Sequence, residues 1–284
     1  MRFSPKGILA SVRSMAIRAA SNADAAQWAA DALTRQETDE TSLWTALGRV
    51  PDRYEAYARV LHRPPLLYPD VNEAVERFER EHPDAGPRER AAALSAHVDK
   101  LQRQTSARRS WAAIAESNGR VAHPLMLWHE IAAGEPHAEQ YDYGWEMEPD
   151  EVAALARILA NYTEPNERCT FLIWEGLNKG ALYDLRAPKV TLEDQPYLVL
   201  EGELADAPKF EWRWRSSEAW PTSFHPPNAW WPESRRWFAG FGIDDDCTFV
   251  GGPAGLVKQL EEASDLEVYP VQRSDRLGAA PRSN

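Results

Sequence analysis

A chain of 284 residues with 43% hydrophobic and 27% charged residues has the composition of an ordinary globular protein, which excludes wholesale disorder. Its formal charge of −12 excludes the basic surface that sequence-independent binding to nucleic acid or to an anionic membrane requires. Two cysteines exclude a disulfide framework and fit a reducing, cytoplasmic compartment, and no apolar run reaches the roughly 20 residues of a spanning helix.

Residues 1–21 carry Arg2, Lys6, Arg13 and Arg18 without an acid and read as a flexible basic arm. The apolar stretch 7–12 is too short for a secretory signal. Residues 22–165 read as mainly helical. An alanine-rich helix over 23–33 follows a cap at Asn22 or Asp24. In the next segment Tyr54, Tyr57, Ala58 and Leu61 fall at helical spacing, ended by Arg63-Pro64-Pro65. The charged stretches 70–81 and 87–108 alternate in sign like exposed helices, with a turn at 82–87 between them. Trp111, Ile114 and Ala115 start another amphipathic helix. Glu148-Pro149-Asp150 opens one whose stripe is Val152, Leu155, Ile158 and Leu159.

After Pro165 the pattern changes. The runs 169–174 and 197–200 read as buried strands, and 210–215 alternates aromatic with charge like a half-buried strand. Further strands are expected at 236–243, 247–250 and 266–271. A helix over 253–262 buries Leu256, Val257 and Leu260, and 272–284 reads as a disordered tail. The expected fold class is α+β: a helical N-terminal half, then a Trp-rich region at 166–271 built as a mixed β-sheet with a late C-terminal helix.

Two features concentrate the functional signal. Of 12 tryptophans, six (Trp212, Trp214, Trp220, Trp230, Trp231 and Trp237) lie within 26 residues, a cluster that could line a groove, anchor a partner or build a core. Adjacent extended residues point to opposite sides, so one of Trp230 and Trp231 is expected to face outward. The second feature is Asp244-Asp245-Asp246, usually a solvated turn, which lacks the glycine and glutamate of a calcium loop, so no metal is expected.

Standard catalytic signatures fail. His129-Glu130 has Ala133 where a zinc-binding histidine would stand, and there is no nucleophile elbow or phosphate-binding glycine loop. Cys169 and Cys247 lie in apolar strand candidates and read as inert core thiols. His62, His82 and His123 stand near prolines and read as loop or surface histidines. Among the acids at strand ends (Glu175, Glu201, Glu233, Asp244), Glu175 and then Glu233 are the best candidates for a glycan hydrolase, which needs two carboxyl groups about 5–10 Å apart.

The runs Tyr57-Ala58-Arg59-Val60-Leu61-His62, Trp111-Ala112-Ala113-Ile114-Ala115, Phe171-Leu172-Ile173-Trp174-Glu175-Gly176 and Tyr197-Leu198-Val199-Leu200-Glu201-Gly202 occur in order. Pro227-Asn228-Ala229-Trp230-Trp231-Pro232, Arg235-Arg236-Trp237 and Thr248-Phe249-Val250-Gly251-Gly252 follow. As a set they resemble a family of uncharacterised proteins from high-GC Gram-positive bacteria, over most of residues 44–271. Against that family the charged segment at about 66–108 looks like an insertion, and 238–242 departs from its pattern. No activity is assigned to the family, so the resemblance bears on fold and compartment alone.

The leading expectation is a non-catalytic cytoplasmic protein-binding module, without cofactor, whose acidic Trp-rich surface engages a basic protein partner. Residues 201–270 hold 13 acids against 6 bases, and the candidate contacts are Trp220, Trp230, Trp231, Glu233, Asp244 and Asp245. An immunity protein against a basic toxin fits this profile. The alternative is the hydrolase using Glu175 or Glu233 in a Trp-lined cleft.

Overall fold

The computed structural model describes residues 17–36, 48–64, 77–87, 89–90, 92–93, 109–132, 146–177, 186–192, 194–212 and 223–278. Strands and helices alternate from the start: β1 Arg18–Ala19, α1 Asp24–Gln36, β2 Ala56–Leu61, α2 Trp111–Ser117, α3 Trp128–Ile131 and α4 Pro149–Leu159. Then come β3 Arg168–Trp174, β4 Lys189–Leu192, β5 Gln195–Glu203, β6 Glu211–Trp212, β7 Ser223–Phe224, β8 Ala229–Pro232, β9 Phe238–Gly240, β10 Cys247–Gly252, α5 Ala254–Glu261 and β11 Glu267–Val271. Nine strands form one sheet in the order β1-β5-β3-β8-β9-β10-β2-β11, with β4 also against β5, and β6 and β7 pair separately.

Two parts of the expected fold class need correction. Among the described residues every strand pair is antiparallel, which corrects the expected mixed sheet. Nor is the N-terminal half helical, because it supplies β2, an interior strand paired to both β10 and β11. Helical spacing misled here because β2 is buried on both faces. Tyr57 and Leu61 enter one core layer, while Ala58 and Val60 enter the other. That alternation is the period of a strand, and a strand buried on both sides loses the polar interruptions that would reveal it. Residues 17–20 also depart from a free arm: Arg18 stands opposite Glu201 in the sheet, and the Ala20 N–H donates to the Val199 carbonyl at 3.0 Å.

Helices cover both faces. On one, α1, α2 and α3 pack over Leu172, Val199, Trp231, Phe238 and Phe249. On the other, α4 and α5 pack over Phe171, Ile173, Leu200, Trp230 and Val250. Local chemistry explains where the helices start. Ser110 accepts from the Ala113 N–H at the head of α2, and α4 begins with a proline whose missing N–H would have been unpaired anyway. The chain after β11 stays close to the domain, with the Gly278 N–H donating to the Leu125 carbonyl. Among the described residues β11 is the outermost strand on its side, and it carries the exposed Pro270 opposite Ala58.

Candidate functional site

The residues singled out for partner binding do not form one surface. Trp230 and Trp231 are 2% and 1% exposed, one on each face of the sheet, because β8 is an interior strand between β3 and β9. Neither indole is available to a partner without opening a core. Trp220 lies outside the described residues. Glu233 is exposed just beyond β8, whereas Asp244 is exposed in the turn after β9 at the other end of the β8–β9 pair. Asp245 accepts from Arg49 Nε at 2.5 Å and Nη2 at 3.2 Å, and from the Gly242 N–H at 2.6 Å, so it closes a turn.

Glu175 and Glu233 do not make an acid pair with each other. The Glu233 N–H donates to the carbonyl of Arg168, the first residue of β3, while Glu175 follows its last residue. Seven residues at about 3.3 Å each set the two attachment points about 23 Å apart along β3, too far for two glutamate side chains to flank one glycosidic bond. Each acid also has its own setting. Glu175 pairs with Lys189, and Glu201 lies between Arg18 at 2.9 Å and Arg168 at 3.2 Å. Among the described residues no group of three or more His, Cys, Asp or Glu is arranged to hold a metal.

Several buried or half-buried ionisable groups are bonded within the fold. Arg59, wholly buried on β2, donates to the carbonyls of Met126 at 2.7 Å and Pro124 at 3.2 Å and approaches Asp246 at 3.5 Å. Its guanidinium stacks 5.5 Å from the Trp111 ring. Burial opposes the charge, but Cys247 and Asp246 outweigh it and hold the Arg59 pKa above its ordinary value. Beside it Glu267 accepts from the backbone N–H groups of Trp111 and Ala112, at 2.6 and 2.8 Å, at the head of α2. Burial nevertheless raises the Glu267 pKa. His62 corrects the expectation of a surface histidine. It is fully buried, its Nε2 is 2.8 Å from Thr248 Oγ1, and its carbonyl accepts from Trp111 Nε1. Cys169 and Cys247 are buried thiols pushed up to about 12 by desolvation, far from thiolate reactivity.

One cluster has the opposite character. Trp28 on α1 is only partly buried, and two guanidiniums stand over its ring, Arg235 at 4.6 Å and Arg53 at 5.5 Å from the centroid. Arg53 is exposed and also lies 6.0 Å from the Tyr54 ring. The platform beneath is aromatic. Trp28 meets Trp231 edge-on at 5.5 Å and Phe238 at 6.0 Å, and Trp231 stacks on Phe238 at 5.0 Å. Thus the Trp-rich segment acts here from inside, through Trp231 holding the indole of α1. Tyr54 fits against β10 because position 251 is glycine: a Cβ there would lie 2.6 Å from the tyrosine ring. Arg235 reaches Trp28 from a left-handed backbone, φ 54°, in the turn after β8.

The hydrogen-bonding inventory of this cluster is unbalanced. The Nε1 of Trp28 and the hydroxyl of Tyr54 are shielded from water and have no hydrogen-bond partner. Among the described residues no carboxylate forms an ion pair with Arg53 or Arg235. By contrast, nine other arginines, Arg157 and Arg273 among them, each have an acid. The sequence carried a faint signal for this site, since Trp28 is the lone aromatic in an alanine-rich helix.

No protein-family model, curated protein or solved structure matches the chain.

Proposed function

We propose that the protein is a non-catalytic protein-binding module whose contact surface is centred on Trp28, Arg53 and Arg235. The observation that carries this reading is the exposed Arg53 and the half-buried Arg235, neither with a carboxylate partner among the described residues, over a partly exposed indole, in a chain with 44 acids and 32 bases. Tryptophan and arginine are the residues most enriched at interface hot spots, because both present broad, rigid contact area. The ionisable side chains away from this surface support the reading from the other side, since the buried Arg59 and His62 and the half-buried Glu267 are bonded within the fold. The acidic groups first expected to meet a basic partner are scattered over both ends of the sheet, so the charge of −12 has no single patch among them.

The test is affinity capture from a cell lysate with the full chain as bait, against an unrelated bait of equal charge. The expected result is one protein retained at near-equimolar amount by this chain and not by the control. Identical retention on both baits, or none, overturns the reading.

A further inference from the structure

We infer that the Trp28–Arg53–Arg235 cluster recognises the side-chain carboxylates of an acidic segment in the partner protein. The inference rests on the protein-binding reading and adds the chemistry of what is bound. Arg53 and Arg235 offer planar cationic donor forks that fit a carboxylate through two parallel hydrogen bonds. The two further polar atoms of the cluster, Trp28 Nε1 and the Tyr54 hydroxyl, lie beneath the cations, shielded from water, so the contact to a ligand falls to the two guanidiniums and the open part of the indole. Two guanidiniums that only donate, with no carboxylate paired to either among the described residues, call for a ligand rich in acceptors.

The cluster is built before any ligand arrives. Trp28 is fixed edge-on against Trp231 and Phe238, Tyr54 is seated against Gly251, and Arg235 is held by a turn in which its N–H donates to the Pro232 carbonyl at 2.8 Å. Pre-organisation of this kind lowers the entropy lost on binding. Desolvation by the indole face also strengthens each charge-assisted bond compared with the same pair in open water. The length of the ligand follows from the overall charge. A chain of −12 repels an extended polyanion such as nucleic acid over the whole surface, whereas a segment with a few acids meets only the local pair of cations.

The experiment is a titration of the isotope-labelled full chain with a hexaglutamate peptide and, separately, with inorganic phosphate. It follows the indole N–H resonance of Trp28, assigned by its loss in Trp28→Phe. The expected result is a saturable shift with the peptide, with affinity at least about tenfold weaker in the Arg53→Gln/Arg235→Gln double variant. The remaining indole resonances of that variant should keep their positions, which shows an intact fold. The inference is overturned by no shift, by an equal affinity in the double variant, or by saturation with phosphate and not with peptide. The two proposals fail separately. A partner captured equally by wild type and double variant leaves the binding module and removes this site. A peptide response without any captured partner removes the module reading alone.

Discussion

Arg59 over Trp111 and Arg235 over Trp28 are the same pairing in opposite settings. The first guanidinium is fully buried, bonded to two carbonyls and beside a carboxylate. The second is half-buried, with no acid beside it among the described residues. Both sit on the face of the sheet covered by α1, α2 and α3, so the core layer does not account for the contrast. What separates them is whether the fold supplies the acceptors. A buried cation must be satisfied from within, because desolvation otherwise favours its loss, whereas a cation at the rim can leave that role to solvent or to a ligand.

The largest expected effect tests the buried member. Arg59→Leu strands two carbonyls and the Asp246 carboxylate, and should lower the unfolding free energy by about 3–5 kcal/mol in denaturant titration. A loss below about 1 kcal/mol would mean that the Arg59 network contributes little and that the contrast is one of location only.

An intermediate effect concerns pH. Glu267, next to Arg59, has a folded pKa above its ordinary 4.5 because burial opposes its charge. The folded state therefore binds its proton more tightly than the unfolded chain does. The stability this group contributes is fully present below about 4.5 and is lost as pH rises through the folded value. Glu267→Gln should remove that slope, so the stability of wild type relative to the variant should fall as pH rises from 4 to 7, measured by thermal unfolding. A difference that is flat, or grows with pH, would show that the two N–H bonds from α2 dominate over burial.

The smallest effect belongs to the rim. Arg235→Gln removes one stacking contact and should change stability by about 0.5–1 kcal/mol at most, although it weakens acidic-peptide binding. A loss as large as that of Arg59→Leu would make Arg235 a structural cation like its counterpart.

Much of the helical structure was legible in the residues. Amphipathic spacing marks α2, a proline in the first turn marks α4, and apolar stripes mark α4 and α5, because each signal is local. The strands β3, β5 and β10 were legible as short apolar runs. What misled was β2, where Tyr57, Ala58 and Leu61 sit at helical intervals, yet pairing to strands nearly 200 residues away decides the conformation. The site was illegible for a related reason. Trp28, Arg53 and Arg235 come from three distant segments, and the abundance of indoles between 212 and 237 drew the reading toward Trp230 and Trp231, which the interior position of β8 buries. Trp231 was informative all the same, as the support beneath the indole that does face outward.

Pro270 carries a consequence for behaviour at high concentration. It sits in β11, among the described residues the outermost strand beyond β2, where an open row of backbone groups would template the addition of a strand from another molecule. Without an N–H it removes one rung from any such ladder and its ring obstructs close approach. One cyclic side chain thus helps keep a nine-stranded sheet from growing by edge-to-edge polymerisation.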